Sequence, residues 1–376
     1  MPERIDLSRA DDPRDVVHRA VACLAQGGLV GLPTESTYGI TAGALSPSAV
    51  ARLRRLGRPD GAGASPSGPL PTLFLKGPGE VGDWADVPSE VGRRLADRAW
   101  PGPLTLVLPV AHRGLTGRLP AEVRPFLVRD GAIALRDPEH RMAREILRLM
   151  PGPLIQVDPP ETHGGRAPTR ADDLDGLDDL DMILDVGPTR HGGPSTVVAV
   201  GAGRWDVVRP GVVTEGEVAR MAGTIVLFVC TGNTCRSPMA EALCKALLAE
   251  RLGCRAEELV DRGYVVLSAG VSATDGMPAA SNAIEVVRSR GGSLADHASR
   301  RALPELVRQA DVVIAMTADH LDILLDQVPE VAPRARLLDR DGDDIADPVG
   351  SDLETYNRTA RQIHGHLGEL LDDLGL

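Results

Sequence analysis

Cys230 closes an apolar run, Thr224-Ile-Val-Leu-Phe-Val-Cys230, and Arg236 follows with five residues between them. The bridge, Thr231-Gly232-Asn233-Thr234-Cys235, is short and polar, and Ser237-Pro238 then opens a stretch of helical character. A bridge of this length lets the chain curl so that backbone N–H groups point inward as a nest for a phosphate. A helix starting at Pro238, a residue favoured at the first helical position, adds its positive dipole end to the same spot. Arg236 can grip two phosphate oxygens with its planar fork. The same positive field favours the thiolate of Cys230, the form that attacks. Gly232 is expected to supply a positive φ or a close backbone approach, and Asn233 and Ser237 to hold the loop through side-chain hydrogen bonds. A thiolate that expels a leaving group also needs an acid. Asp347, in Ile345-Ala-Asp347-Pro348, is the candidate: it would protonate the leaving atom and then activate water against a phosphocysteine.

The other cysteines qualify this reading without replacing it. Cys230 and Cys235 have poor zinc spacing, with no partner pair and no nearby histidine, so no metal is expected. Cys235 is either a redox partner that would form a disulfide with an oxidised Cys230 or a small buried apolar filler. Cys244 and Cys254 read as structural or incidental. Five cysteines in all, Cys23 included, are not the framework of a disulfide-rich secreted domain.

The elements that must position these residues alternate strand and helix. Ile225–Val229 precedes a helix over 238–252, Val265–Ser268 one over 278–290, and Val312–Met316 one over 318–327. That order implies a parallel sheet with helices on both faces. The preceding block is rich in Gly and Pro, with short apolar runs at 29–32, 104–108, 132–135 and 197–200. Stretches 57–71 and 169–181 read as loops, the acidic run in the second as a solvated surface. A helix over 215–221 is expected to end the first block, which gives domains of 1–220 and 223–376 with the boundary at 219–223.

Length agrees: 376 residues exceed one ordinary core and fit two domains. Net charge is −12 and lysine occurs only at positions 76 and 245. Such a chain is a poor bulk partner for nucleic acid, although a local basic groove remains open. The charged N-terminus and the lack of a long apolar run predict no signal peptide, no membrane span and a cytoplasmic protein.

The segment from 223 onward resembles the low-molecular-weight protein phosphatases. The family loop C-x-G-N-x-C-R-S-P and a late Asp-Pro are both present, as is Ser268-Ala-Gly270, expected after the second strand. The resemblance implies a small four-stranded parallel doubly wound α/β domain that needs no cofactor. Cys230, Arg236 and Asp347 would be catalytic, and Thr231, Gly232, Asn233, Thr234, Cys235 and Ser237 would bind the phosphoryl group of a phosphorylated protein. The family acts on phosphotyrosine or phosphoarginine. Thr234 matches the arginine branch, whereas the tyrosine branch usually has an aliphatic residue there. Val349 after Asp-Pro lacks the aromatic platform of the tyrosine branch, but arginine-specific members often carry an aromatic there too.

Residues 13–215 resemble the YrdC-like threonylcarbamoyl-adenylate synthases. The resemblance rests on Pro33-Thr34-Glu-Ser-Thr-Tyr38-Gly39, Trp100-Pro-Gly-Pro-Leu-Thr105, Ala134-Leu-Arg136-Asp-Pro138, Pro194-Ser195-Thr196-Val197 and Val208-Arg209-Pro-Gly211. It implies a twisted α/β sheet with a basic cavity, the substrates ATP, L-threonine and bicarbonate, a role in tRNA t6A modification, and ligand contacts from Thr34, Tyr38, Arg58, Arg136, Ser195, Thr196 and Arg209. The match is uneven. Leu56 stands where the family's Lys-x-Arg clamp has lysine, with Arg54 or Arg55 as substitutes. The Ser-x-Asn signature after Pro153-Leu154 reads Ile-Gln-Val-Asp158-Pro-Pro160, with His163 beyond it as a replacement contact or a surface loop residue. Two expectations follow: a working nucleotidyltransferase domain, or a degenerate one that binds a nucleotide, RNA or protein or tunes the phosphatase.

Overall fold

The computed structural model describes residues 1–56, 70–87, 89–159 and 166–375, and the chain divides into two compact units, Met1–Met221 and Ala222–Leu376. Each is α/β. Among the described residues no helix is long and apolar enough to cross a membrane.

The second unit is a four-stranded parallel sheet in the order Tyr264–Gly270, Thr224–Cys230, Val312–Ala315, Ala335–Leu337. The strand Thr224–Cys230 is apolar throughout because both of its faces are covered. Val226, Phe228 and Cys230 enter one core with the helices Arg236–Leu252, Ser281–Arg288 and Leu353–Asp373. Ile225, Leu227 and Val229 enter the other, with Val307, Leu324 and Val328. Burial of a side chain such as Phe228, fully inaccessible here, contributes about 1.5–3 kcal/mol. This strand is the first in sequence but lies inside the sheet, so its C-terminal end falls where the chain direction across the sheet reverses, the usual place for a ligand in such folds. Cys230 is the last residue of that strand.

Three local expectations are corrected. The helix after the loop begins at Arg236, with Cys235 as its N-cap, so Pro238 sits third in the first turn, where its missing N–H still costs no intrahelical bond. The helix ends on Gly253 at φ 62°, a left-handed cap. The second helix begins at Ser281 rather than 278 and ends at Arg288. Ser268-Ala269-Gly270 forms the end of its strand rather than a segment after it.

The first unit is a mixed sheet of eleven strands among the described residues. Its central part runs Met182–Asp185, Val30–Pro33, Tyr38–Gly43, Leu154–Val157, Thr72–Phe74, Ala132–Arg136, Leu104–Pro109 and Thr196–Val200. The short apolar runs read from the sequence fall in these strands. The run 169–181 is mostly irregular, with a single short turn of helix at Ala171–Leu174. Val30–Pro33 and Tyr38–Gly43 are antiparallel neighbours. Their turn is closed by Thr34, whose hydroxyl donates to the Thr37 carbonyl at 2.8 Å and accepts the N–H groups of Ser36 and Thr37.

Gly270 is where the sheet of the second unit and the loop after Cys230 touch. A Cβ there would stand 2.4 Å from the Thr231 carbonyl oxygen and 2.9 Å from the Asn233 nitrogen, both backbone atoms. Gly270→Ala should therefore lower unfolding stability by roughly 1–3 kcal/mol, read from chemical denaturation followed by far-UV circular dichroism. An unchanged midpoint would show that the loop yields without cost.

Candidate functional site

The loop Thr231–Cys235 is held by one buried side chain. Asn233 adopts φ 55°, and it, not Gly232, is the loop residue in the left-handed region. Asn tolerates this conformation better than other non-glycine residues. Its Nδ2 donates to Ser237 Oγ and to Ser268 Oγ, both at 2.9 Å, and its Oδ1 accepts the Arg300 N–H at 2.9 Å. His297 Nε2 meets its backbone carbonyl at 2.8 Å. Ser268 in turn donates to Glu241 at 2.6 Å, and Lys245 pairs with that carboxylate. Ser268, Glu241 and His297 escaped functional reading because the partners that tie them to the loop are remote in sequence: Ser268 and His297 meet Asn233, and Glu241 meets Ser268. The one available signal was Ser268 within the Ser-Ala-Gly match.

Around Cys230 the loop supplies donors. The Asn233 N–H points at its Sγ at 3.3 Å and Ser237 Oγ lies 3.0 Å away. No side chain caps the helix that begins at Arg236, so its opening N–H groups are available to an anion. Arg236 is 5% exposed and aimed by three partners. Its Nη1 donates to the Ile345 carbonyl at 3.2 Å, and its Nη2 donates to Asp347 Oδ2 at 2.6 Å and to Thr231 Oγ1 at 3.4 Å. Asp347, half-exposed, also accepts the Val349 N–H on its Oδ1 at 3.1 Å, which orients the carboxyl group. The structure thus joins Cys230, Arg236 and Asp347 around one loop, although Asp347 is more than a hundred residues away in sequence.

Cys235 is buried, with its sulfur 3.1 Å from the Tyr356 hydroxyl and 3.7 Å from Thr234 Oγ1. All five cysteines are free. Burial pushes the Cys244 thiol up to about 12, which removes it as a nucleophile. Among the described residues no cluster of His, Cys, Asp or Glu could hold a metal.

The N-terminal candidates separate into groups. Arg136, 3% exposed, donates to Glu35 and to Ser36 Oγ at 2.7 Å, and Ser36 meets Thr34 at 3.1 Å. Glu35 also accepts the N–H groups of Glu139 and His140 at 3.0 Å. Burial alone would raise the Glu35 carboxyl, but Arg136 and these hydrogen bonds together hold it below the usual carboxylate range. A second group joins Ser195, which meets Thr105 Oγ1 at 3.1 Å, with Arg209, which donates to Ser195 Oγ at 3.1 Å and to Asp158. Tyr38 and Thr196 are tied up elsewhere. The Tyr38 hydroxyl, buried and pushed up to about 12, donates to the Gly187 carbonyl and accepts the Val186 N–H. Thr196 Oγ1 is bonded both ways to Val213. Leu56, with exposed Arg54 and Arg55 just before it, lies in the last turn of the helix Pro47–Leu56, while Arg58, Pro160 and His163 lie outside the described residues. Glu35 and Gln156 were missed in sequence. Gln156 is a buried amide that donates to the Leu32 carbonyl and to Thr41, and its side chain fills the space a Cβ on Gly39 would need.

Comparison with known proteins agrees with this geometry. The model of the low molecular weight phosphotyrosine protein phosphatases matches residues 225–375, and the Sua5–YciO–YrdC model, described as telomere recombination, matches 22–211. The chain belongs to both families. It is a fusion of a YrdC-like domain and a low-molecular-weight phosphatase domain. The phosphatase part is 35% identical to a protein-arginine-phosphatase of Bacillus subtilis over 153 residues, which are 40% of this chain and 95% of that one. It is 31% identical to a probable low molecular weight protein-tyrosine-phosphatase of Ralstonia nicotianae over 139 residues, 37% of this chain and 87% of that one. The YrdC-like part is 30% identical to a threonylcarbamoyl-AMP synthase of Bacillus subtilis over 225 residues, 58% of this chain but only 60% of that one.

The Glu35–Arg136 pair gives a stability prediction for the YrdC-like domain. Glu35→Gln leaves a buried guanidinium uncompensated and should cost about 3–5 kcal/mol. Because the folded carboxyl is held low, its stabilisation is present above its ordinary value of 4.5 and is lost as pH falls through the lower folded value. All three tryptophans (Trp84, Trp100 and Trp205) lie in this domain, so denaturant unfolding followed by their fluorescence at pH 7 and pH 4 reads both effects. Equal stability of Glu35→Gln and wild type at pH 7 would contradict the prediction.

Proposed function

We propose that the C-terminal domain removes phosphoryl groups from proteins through a phosphocysteine on Cys230. The observation that carries this is the convergence of a buried thiol, an arginine fork and a carboxyl group on one helix-capped loop. In the first step the Cys230 thiolate attacks phosphorus and the bond to the leaving atom breaks. Arg236 and the loop N–H groups of residues 231–237 hold the equatorial oxygens as charge develops. Asp347 gives its proton to the leaving nitrogen or oxygen. In the second step the same carboxylate takes a proton from water, which displaces the thiolate and releases inorganic phosphate. No metal or organic cofactor enters either step.

Phosphoarginine is the favoured substrate. Thr234 places a hydroxyl at the loop's edge rather than an aliphatic wall, whereas Val349 beside the acid, 65% exposed, offers no aromatic platform and does not separate the two substrates. The similarity to the Bacillus protein-arginine-phosphatase supports the same choice.

For the YrdC-like domain, the Arg209–Asp158 pair favours a binding or regulatory module over a working synthase. Asp158 lies where the family carries its Ser-x-Asn signature, and it puts a carboxylate against an arginine expected to contact ATP. That arrangement opposes a triphosphate electrostatically.

Purified protein should hydrolyse phosphoarginine faster than phosphotyrosine, Thr234→Ile should reverse the order, and Cys230→Ser should be inactive. Fast turnover of phosphotyrosine with none of phosphoarginine would overturn the substrate assignment. Incubated with ATP, the protein should release no pyrophosphate dependent on L-threonine and bicarbonate, whereas such release would restore the synthase reading.

A further inference from the structure

His320 lies in the first turn of the helix Ala318–Gln327, outside the phosphatase loop, and is 4% exposed. Both ring nitrogens are engaged. Nδ1 meets Thr317 Oγ1 at 2.8 Å, and Nε2 meets Thr231 Oγ1 at 2.8 Å. Thr317 is fixed as the helix N-cap, its hydroxyl accepting the His320 N–H at 3.3 Å. Thr231 is the residue after Cys230, and its hydroxyl accepts from Arg236 Nη2. A continuous chain therefore runs from a helix cap through an imidazole and a loop hydroxyl to the guanidinium that also meets Asp347.

The polarity of that chain is set by its charged end. Arg236 has only hydrogens to offer, so Thr231 Oγ1 accepts from it and turns its own hydrogen to His320 Nε2. The Nδ1–H then donates to Thr317. This requires a neutral imidazole. Burial and then the Arg236 charge lower the His320 pKa, against the opposing pull of Asp319, Asp344 and Asp347. Protonation would place a second cation beside Arg236 and convert the Nε2 acceptor into a donor, forcing the Thr231 hydroxyl to turn away.

We infer that His320 is a positioning residue for phosphoryl transfer, holding Thr231 so that its hydroxyl fixes Arg236 in the orientation that grips phosphate. The inference rests on the phosphatase reading of Cys230, and its test has a readout that needs no turnover. In a Cys230→Ser background, inorganic phosphate binding measured by calorimetry should weaken about tenfold on His320→Ala and about tenfold on Thr231→Val. The two together should be no worse than either alone, because they break one chain. His320→Gln, whose amide can still meet Thr231, should recover most of the binding. In the enzyme with Cys230 intact, kcat/KM should follow the same pattern, and the acid limb of its pH profile should move to lower pH in His320→Gln, which has no imidazole to protonate. Additive losses, or a Gln variant as weak as Ala, would overturn the inference even if the phosphatase activity stands. Loss of the phosphatase reading would appear separately, as full activity in Cys230→Ser.

Discussion

The phosphatase half depends on holding Asn233 in a left-handed conformation at the turn of its loop. Such a backbone costs about 1–2 kcal/mol for a residue with a Cβ, and it persists because the side chain is buried and bonded on both its amide nitrogen and its oxygen. The turn aims an N–H at Cys230 and brings the first helical turn, with Arg236, over the same point. Gly270 allows the neighbouring strand to pass beneath the loop, and Ser268 and Glu241 continue the network into the sheet and helix. A polar network of this kind is stabilising only when every member is satisfied, so loop geometry and domain stability share the same residues.

The YrdC-like domain shows a different electrostatic arrangement. Two arginines expected to meet substrate are answered by carboxylates of the chain itself, Arg136 by Glu35 and Arg209 by Asp158. The first pair is buried and has the character of a structural interaction. The second is partly exposed and lies where two polar nucleotide contacts are missing from the sequence. The domain thus has its closed Thr34 turn and its sheet, with both of these arginines paired to carboxylates of the chain itself.

Much of the phosphatase site was legible in the sequence because it is local. Five bridge residues, the arginine and the helix start lie within one short segment whose spacing has a single physical use. The strand–helix alternation was legible for a similar reason, since strands buried on both faces read as unbroken apolar runs. Helix starts were less legible: Pro238 drew the expected start to itself, whereas the helix begins two residues earlier, at Arg236. A positive φ or a close backbone approach was expected of Gly232 on residue type, but the left-handed residue is Asn233, held by hydrogen bonds with residues 237, 268 and 300. His320, Glu241 and His297 carry no spacing signal because the partners that link them to the loop, Thr231, Ser268 and Asn233, are distant in sequence. In the YrdC-like domain, Tyr38 and Thr196 matched motif positions, yet their hydroxyls serve the backbone, a distinction that only the folded chain makes.

The central claim is that a thiol at residue 230 carries the phosphoryl group between substrate and water. Rapid acid quench of Asp347→Ala protein during turnover of phosphoarginine, followed by peptide mass spectrometry, addresses it directly. Loss of the residue that activates water should leave the phosphoryl group on the peptide containing Cys230. A phosphorylated histidine or serine peptide, or no phosphorylated enzyme while substrate is consumed, would contradict the account.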